Sequence, residues 1–225
     1  MDNKPVKLLI HGASGRMGQA ILRLAGQHPN LSVAATSGRA DLDRMQALPE
    51  FDIAIDFSSP EGFDAVLALC LARGRGLLSG STGLSEDQFK ALHAAGSRIP
   101  VMWASNFSLG VAVLKRLVAV AGKALPDWQL DIVEAHHSHK KDAPSGTALS
   151  LGRTAEAASG HMPSYHSLRC GDIVGEHCVQ FTGIGERIEL VHRATDRDIF
   201  AQGALFAAEK LAGKVNGVHV FGDLL

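Results

Sequence analysis

The densest group of chemically competent side chains lies between Glu134 and Thr147. The basic residues of this stretch are His136, His137, His139, Lys140 and Lys141. Protonated lysine and histidine can bind an anion, and each can donate a proton to an electron-rich centre. The segment therefore predicts a site for an anionic molecule.

The residues that follow predict the start of a helix beside these basic groups. Pro144 suits this position, because it lacks the backbone N–H that a helix start leaves unpaired. Ser145, Gly146 and Thr147 would present amides and hydroxyls at the helix N-terminus, which favours a bound carboxylate or phosphate. Lys140 would reinforce this anion binding and could donate a proton to the bound molecule.

Two other interpretations of the histidines are open. A metal site is one of them, because histidine is a common metal ligand. However, His136 and His137 are adjacent and would point to opposite faces of an extended chain. No H-E-x-x-H motif or paired cysteine is present, and the flanking lysines oppose a cation. We therefore expect no bound metal, and a solvated basic loop remains as the alternative.

A glycine-rich turn near the N-terminus predicts a nucleotide site. The sequence Gly12-Ala13-Ser14-Gly15-Arg16-Met17-Gly18 follows an apolar run at 6–10 and opens a segment with helical apolar spacing. Its glycines permit a tight turn and let backbone amides approach a pyrophosphate at the helix N-terminus. We expect NAD(P)H to bind here, and a purely structural turn is the alternative.

The end of the second predicted strand bears on the choice between NADPH and NADH. An acidic side chain there would bind the adenosine ribose, whereas an arginine would favour the 2′-phosphate of NADPH. The chain has Gly38 and Arg39, so NADPH is favoured. Asp41 or Asp43 folding back to the ribose would favour NADH, and a solvated Arg39 would favour neither.

Apolar patterning places these segments in an α/β fold. Over the first hundred residues strands alternate with helices, which predicts a Rossmann-like, doubly wound parallel sheet. The predicted strands are 6–10, 31–36, 51–57, 76–79 and 99–104, and the predicted helices are 15–26, 62–72 and 85–95. The last of these helices begins with a Ser85-x-x-Gln88 capping box.

After residue 107 the pattern indicates a second, α+β domain with a mixed or antiparallel sheet. Its predicted helices are 111–125 and 145–158, and its predicted strands are 129–135, 172–181 and 187–193. A final helix at 199–212 is assigned to the first domain. We therefore predict a dinucleotide-binding domain of residues 1–107 and 198–225, and a substrate-binding domain of residues 108–197.

Composition narrows the range of partners. The formal net charge is -1, with 22 Lys+Arg against 23 Asp+Glu, so neither nucleic acid nor a membrane is an expected partner. Cys70, Cys170 and Cys178 form no C-x-x-C pair, which argues against a disulfide framework and suits a cytoplasmic location. The apolar run at 6–10 is too short for a signal peptide or a membrane span.

Two longer segments, 12–18 and 134–148, resemble the two signatures of the dihydrodipicolinate reductase family, in the same order. Shorter segments are similar to further parts of that family, namely 55–57, 60–62, 80–83, 105–108, 171–177 and 185–187. The resemblance covers nearly the whole chain. Several ordered matches are far more specific than one glycine pattern.

The resemblance implies an NADPH- or NADH-dependent reductase of diaminopimelate and lysine biosynthesis. Such an enzyme passes hydride to a cyclic dicarboxylate imine after the hydroxyl of 4-hydroxy-tetrahydrodipicolinate leaves as water. The resemblance assigns acid/base chemistry to His136, proton donation to Lys140, and substrate binding to His137, Gly146 and Thr147 beside Ser145. Its cofactor contacts match Gly12, Ala13, Ser14, Gly15, Arg16, Met17, Gly80, Ser81, Thr82, Ala104, Ser105, Asn106 and Phe107. It also implies oligomerisation of the second domain, as a homotetramer, through the sheet around 172–193.

The chain departs from the family at a few positions. Gly38 stands where an acidic residue is common, Ser81 replaces a threonine, and Ser105 replaces an alanine. The chain is also shorter between Arg39 and Phe51. The loss of the acidic residue favours NADPH over NADH.

Two other functional classes remain as alternatives. One is a different two-domain dehydrogenase acting on an amino acid or a small aldehyde acid, from which the histidine segment distinguishes this chain. The other is a nucleotide-sensing protein that keeps the fold without turnover. Such a sensor would be expected to lose Lys140 or His136, and both are present.

Overall fold

The computed structural model describes residues 4–225, and the chain divides into two compact units. The first unit consists of two segments of the chain, the residues up to Ser108 and Asp198–Leu225. The second unit is Leu109–Arg197. Within the described range, no helix is both long enough and apolar enough to cross a membrane.

The first unit is built on a six-stranded parallel sheet. Its strands are β1 (Val6–His11), β2 (Leu31–Ser37), β3 (Ile53–Asp56), β4 (Gly76–Ser79), β5 (Pro100–Trp103) and β10 (Gly217–His219), in the order β10-β5-β4-β3-β1-β2. Its helices are α1 (Arg16–Ala25), α2 (Pro60–Arg73), α3 (Glu86–Ala95) and α6 (Asp198–Leu211). This confirms the predicted doubly wound sheet, whose strand order reverses at β1, where such sheets bind ligands.

The central strands are apolar because helices cover both faces of the sheet. Leu9 and Ala54 are fully buried and pack in one core cluster with Phe63 and Val66 of α2. Polar residues nevertheless end these strands, and they too are buried: His11, Ser37, Asp56 and Ser79. In a parallel sheet these carboxyl ends meet at one edge, so the fold gathers polar groups there.

Side-chain caps mark the starts of two helices in this unit, Ser59 at α2 and Ser85 at α3. The predicted capping box at α3 is confirmed, because Ser85 Oγ accepts from the Gln88 amide at 3.2 Å and Gln88 Oε1 accepts from the Ser85 amide at 2.9 Å. Three elements of this unit were not predicted, namely the 3₁₀ helices at Arg39–Ala47 and Phe221–Leu224 and strand β10. A strand of three residues is too short to show the alternation by which strands are recognised.

The second unit contains a four-stranded mixed sheet. Its strands are β6 (Gln129–His136), β7 (Ser164–Arg169), β8 (Gly175–Thr182) and β9 (Arg187–Ala194), in the order β7-β6-β8-β9. β7 pairs parallel with β6, whereas β8 pairs antiparallel with both β6 and β9. The helices α4 (Leu109–Ala124) and α5 (Gly146–Ser159) contribute Val118 and Leu151 to a core with Ile132 and Phe181.

Two details of this unit differ from the predictions. β7 was not predicted, because its sequence Ser164–Arg169 is mostly polar and most of its residues are exposed, so it lacks the apolar alternation of a strand. The strand predicted from 172 begins only at Gly175. Gly171 precedes it with a positive φ of 50°, so a turn occupies the start of the predicted segment.

Candidate functional site

The glycine loop joins β1 to α1, and close backbone approaches require glycine at two of its positions. Gly12 has a φ of 81°, and a Cβ there would collide with the carbonyl oxygen of Phe57. A Cβ at Gly18 would collide with the carbonyl oxygen of Gly12. Packing against the loop backbone therefore fixes a tight turn that keeps the α1 N-terminus close to the end of β1.

The N-terminal end of α1 is prepared for an anion. Gly15 is its N-cap, no side chain caps it, and its first turn contains no acidic residue. The amide groups and the positive end of the helix dipole are therefore left for a ligand. Ser14, Gly15 and Arg16 are all exposed. This arrangement fits the pyrophosphate of a dinucleotide.

A pocket of about 310 Å³ adjoins the glycine loop. Its lining includes Gly12, Gly15, Gly38, Arg39 and Glu61. The exposed Arg39 guanidinium lies 3.6 Å from the carboxylate of Glu61. Glu61 was not predicted from the sequence as a residue of this site.

The first acidic residue after Arg39 is engaged elsewhere. The Asp41 carboxylate accepts a hydrogen bond from the Gly38 amide at 2.9 Å, so it closes the start of the 3₁₀ helix. Its second oxygen lies 3.7 Å from Arg44 Nη2. Arg39 is thus the charged side chain at the end of β2 that lines the pocket.

The other predicted cofactor positions follow β4 and β5 at the same edge of the sheet. Ser81 Oγ accepts from the Ser58 amide at 2.8 Å, and the Ser81 amide donates to Ser79 Oγ at 3.2 Å. Ser79 in turn donates to the buried Asp56 at 2.7 Å. A Cβ at Gly80 would collide with the Phe57 ring. Asp56 therefore organises the segment Gly80-Ser81-Thr82, although its role was not recognised from the sequence.

The segment Ala104–Phe107 follows β5. The Ala104 amide donates to Ser79 O at 3.1 Å, which ties this segment to the end of β4. Asn106 Oδ1 accepts from the Ser108 amide at 2.7 Å, and Phe107 is buried against Phe57 in an edge-to-face contact with a centroid distance of 5.7 Å. The predicted contacts after β1, β2, β4 and β5 thus share one edge of one sheet.

In the second unit, His136 ends β6 and is nearly buried, with a side chain that is 10% exposed. Its Nδ1 donates a hydrogen bond to Glu134 Oε2. Residues i and i+2 of a strand point to the same face, which is why these two side chains meet. Because Nδ1 carries the proton, Nε2 holds the lone pair of the neutral ring. A Cβ at Gly175 would lie 3.1 Å from this nitrogen, so the absent side chain leaves room beside it.

Burial and neighbouring charges govern the ionisation of this pair. Burial alone would raise the pKa of Glu134, but hydrogen bonds from Arg169, Ser167 and His136 outweigh it and lower this pKa to about 2. Burial lowers the pKa of His136 below its ordinary value; Glu134 opposes this effect, while Lys140 and Arg169 add to it. At neutral pH the pair is therefore a carboxylate beside a neutral imidazole.

Lys140 lies in the loop between β6 and α5. Its Nζ is 2.8 Å from Asp142 Oδ1, and its side chain is half-buried. The ammonium group lowers the pKa of the Asp142 carboxyl below its usual range. The His137 and His139 ring centroids are 6.3 Å apart, His137 is half-buried, and His139 and Lys141 are exposed.

The start of α5 faces open space. Ser145 is its N-cap, and Ser145 Oγ accepts from the Ala148 amide at 3.2 Å. Nothing lies within 4 Å of the Cβ position of Gly146, and Thr147 is half-buried. The first turn contains no acidic residue that would compete with an anion for the positive end of the helix dipole.

Two residues that the sequence reasoning missed complete this centre. Arg169 stands opposite His136 in the parallel pairing of β7 with β6, and His177 stands opposite Glu134 in the antiparallel pairing of β8 with β6. Burial lowers the pKa of His177 to about 4, so this ring is neutral, and its Nε2 shares a hydrogen bond of 3.2 Å with Ser145 Oγ. Only the strand register could have identified Arg169 and His177, and the register can be used only when the neighbouring strands are known.

One further observation concerns the metal site that was considered for the histidines. Across residues 4–225, no cluster of three or more His, Cys, Asp or Glu side chains could hold a metal ion.

Family models match nearly the whole chain. The one described as dihydrodipicolinate reductase, N-terminus, matches residues 6–107, and the one described as dihydrodipicolinate reductase, C-terminus, matches residues 110–225. The chain is 60% identical to a 4-hydroxy-tetrahydrodipicolinate reductase of Stenotrophomonas maltophilia and 56% identical to one of Xanthomonas campestris pv. campestris. Each of these alignments covers 100% of both proteins.

The fold is also similar to a solved structure, a dipicolinate-bound dihydrodipicolinate reductase from Paenisporosarcina sp. TG-14. The TM-score is 0.86 at 20% sequence identity, and the alignment covers 98% of this chain and 100% of that chain. At this identity the likeness bears on the fold alone.

Proposed function

This chain belongs to the dihydrodipicolinate reductase family, and from that membership we propose which of its residues carry out the family's reaction. The chain is an oxidoreductase that reduces 4-hydroxy-tetrahydrodipicolinate with NAD(P)H in diaminopimelate and lysine biosynthesis. A different two-domain dehydrogenase and a sensor without turnover, the alternatives left by the sequence, are therefore excluded.

The start of α5 binds one carboxylate of the cyclic dicarboxylate substrate. Its amides at Gly146 and Thr147, the Ser145 N-cap and the positive end of the helix dipole all favour an anion. The open space at Gly146 leaves room for the ligand to approach the backbone. We propose His137 as a further contact to the substrate, which is supported by its half-buried position directly after β6.

The observation that carries the assignment is that Glu134 hydrogen-bonds both His136 Nδ1 and the Ser145 amide, with Lys140 in the loop between them. Proton transfer and carboxylate binding are thereby combined in one unit. His136, neutral with a lone pair on Nε2, accepts a proton and returns it in a later step.

Lys140 supplies the positive charge that the reaction needs. When bound, the reduced nicotinamide supplies hydride, and its addition to a conjugated imine leaves negative charge on the ring. The Lys140 ammonium stabilises this charge and donates a proton to it. Asp142, at 2.8 Å, holds the ammonium in place until the substrate carboxylates arrive.

The glycine loop and the segments after β4 and β5 hold the cofactor. The uncapped N-terminus of α1 takes the pyrophosphate, and the pocket beside it takes the adenosine end. We propose a preference for NADPH, which is supported by Arg39 in the pocket lining and by the engagement of Asp41 with the Gly38 amide.

We also propose a homotetramer that assembles through the sheet of the second unit. Support comes from apolar side chains that are exposed on its strands and turn, namely Leu168, Ile184, Ile188 and Val191. Light scattering should return four times the chain mass of 23.8 kDa, and a monomer mass would refute the assembly. A cytoplasmic location is likewise proposed, and it is supported by three cysteines that are all free thiols.

The residue assignment is tested by a coupled assay. Enzymatically generated substrate is supplied, and the absorbance of the reduced cofactor is followed for the parent, Lys140→Ala and His136→Ala. Both variants should lose activity while they keep the parent affinity for NADPH, because the glycine loop lies in the other unit. Full activity in both variants would overturn the residue roles, and an inactive parent would overturn the function.

A further inference from the structure

Glu134 is the most buried ionised group of the second unit's centre, and the reaction described above gives it no direct part. Its side chain is 0% exposed, so it cannot touch the substrate. It is nevertheless held as a carboxylate by the donors around it. A buried charge is costly unless it is paired and hydrogen-bonded, so a role is expected for it.

Arg169 is the partner that neutralises this charge. Its Nη1 donates to Glu134 Oε2 at 3.0 Å, and its Nη2 donates to Glu134 Oε1 at 2.7 Å. This is the bidentate geometry in which a guanidinium and a carboxylate bind most strongly. Nη2 also donates to the carbonyl oxygen of Asp142 at 2.6 Å.

The Glu134–Arg169 pair therefore contacts both His136 and the segment that leads from Asp142 into α5. One carboxylate oxygen of Glu134 accepts from His136 Nδ1, and the other accepts from the Ser145 amide at 3.3 Å. Through Arg169 the same pair holds the backbone of Asp142, whose side chain binds Lys140. The residues proposed for proton transfer and the first turn of the carboxylate-binding helix are thus tied to one buried ion pair.

We propose that Glu134 and Arg169 are positioning residues, with Glu134 fixing the tautomer of His136 and Arg169 fixing the loop that carries Lys140. This inference rests on the roles proposed above for His136 and Lys140. Glu134, which only accepts, requires the proton of a neutral His136 to be on Nδ1. Nε2 is then the nitrogen that can take a proton.

Glu134→Gln tests the first half of this proposal. An amide nitrogen at the Oε1 position would face two donors, Arg169 Nη2 and the Ser145 N–H. At the Oε2 position it faces a single guanidinium nitrogen, Arg169 Nη1, and it can donate to His136 Nδ1 if the imidazole proton moves to Nε2. The variant should therefore reverse the His136 tautomer and remove the lone pair from Nε2.

The His136 tautomer is the decisive measurement, because it would not change if Glu134 had only a structural role. Nitrogen NMR of histidine-labelled protein, assigned with His136→Gln, should show Nδ1–H in the parent and Nε2–H in Glu134→Gln. The variant's kcat should fall by at least about 10-fold, since removing the partner that orients an active histidine commonly costs this much or more. A parent tautomer together with a parent kcat would overturn the role of Glu134.

Arg169→Lys tests the second half independently, and it serves as well if Glu134→Gln does not fold. A lysine ammonium cannot bond both carboxylate oxygens and the Asp142 carbonyl in this planar geometry. The loop should then loosen while Glu134, still charged, keeps His136 in the Nδ1–H form. We expect KM for substrate and Kd for dipicolinate, used as an unreactive dicarboxylate probe, to rise about 10-fold, with a smaller change in kcat.

Matched controls are available on α5. Glu156→Gln and Arg153→Lys make the same substitutions on the same unit, at a half-buried and an exposed position respectively, and should leave the tautomer, kcat and KM unchanged. All variants should bind NADPH with parent affinity. Unchanged dipicolinate binding in Arg169→Lys would overturn the role of Arg169. If His136→Gln is fully active, the proposed role of His136 fails, and the tautomer measurement still decides what Glu134 does.

Discussion

The Glu134–Arg169 pair also makes a measurable contribution to the stability of the second unit. Glu134 has its pKa lowered from 4.5 to about 2 in the folded protein. Because each pKa unit corresponds to about 1.4 kcal/mol, the carboxylate's interactions contribute about 3 kcal/mol. A folded-state pKa below the ordinary value stabilises the fold above pH 4.5, and this stabilisation is lost as pH falls from 4.5 through about 2.

Arg169→Met removes the partner and leaves the charge buried. The expected loss in free energy of unfolding at pH 7 is about 3 to 5 kcal/mol, the usual cost of breaking a buried ion pair. The difference between parent and variant should shrink as pH falls toward 2, because the Glu134 carboxyl then becomes protonated in the parent too. The double variant Glu134→Gln/Arg169→Met should recover part of the loss, since it leaves no unpaired charge.

Denaturation in urea can follow the second unit alone. The two tryptophans are both partly buried: Trp103 packs against the core of the first unit, and Trp128 packs against the core of the second. Trp103→Phe therefore leaves Trp128 fluorescence as the reporter in every variant. Arg153→Met, at an exposed position, is the control and should change stability by less than about 0.5 kcal/mol. A loss below 1 kcal/mol for Arg169→Met, or a loss independent of pH, would refute the reasoning.

Three further predictions concern the two sites. Gly12→Ala should weaken NADPH binding by about 10-fold or more, because the left-handed backbone alone costs about 1–2 kcal/mol and the new Cβ collides with the Phe57 carbonyl; calorimetric titration that returned the parent Kd would contradict this. Arg39→Ala should raise the Kd of NADPH by about 10-fold and leave that of NADH nearly unchanged, since only NADPH has the 2′-phosphate; equal losses for both cofactors would show that Arg39 does not read the phosphate. Burial, Lys140 and Arg169 lower the pKa of His136 against the opposing effect of Glu134, so the acid-side midpoint of the kcat/KM profile, where Nε2 becomes protonated, should lie below 6.5, the ordinary value for histidine; a midpoint at or above 6.5 would mean that another group titrates.

Short-range patterns were sufficient to predict most of the first unit. Apolar runs bounded by glycine marked β1 and β4, and the Ser85–Gln88 box marked the start of α3, because strand burial and helix capping depend on residues close together in the chain. The elements that were not predicted lack such short-range patterns. β7 is stabilised by pairing with β6, and its own residues carry little alternation, so nothing within Ser164–Arg169 indicated a strand.

For the site, the sequence by itself determined which chemical groups are available and where they cluster along the chain. The basic segment with its helix start at Ser145, and the glycine loop with its bare helix N-terminus, are both local features. The roles of His136, Lys140 and Arg39 remain predictions that the variants above would test.

Only the tertiary structure decided how the groups of the second unit are held. The register of β7 and β8 against β6 places Arg169 and His177 beside Glu134 and His136, although the chain separates them by more than thirty residues. No local pattern can report this contact, because it depends on which strands pair and in what register. That pairing makes Glu134 a buried carboxylate, and a carboxylate at that position leaves the His136 lone pair on Nε2.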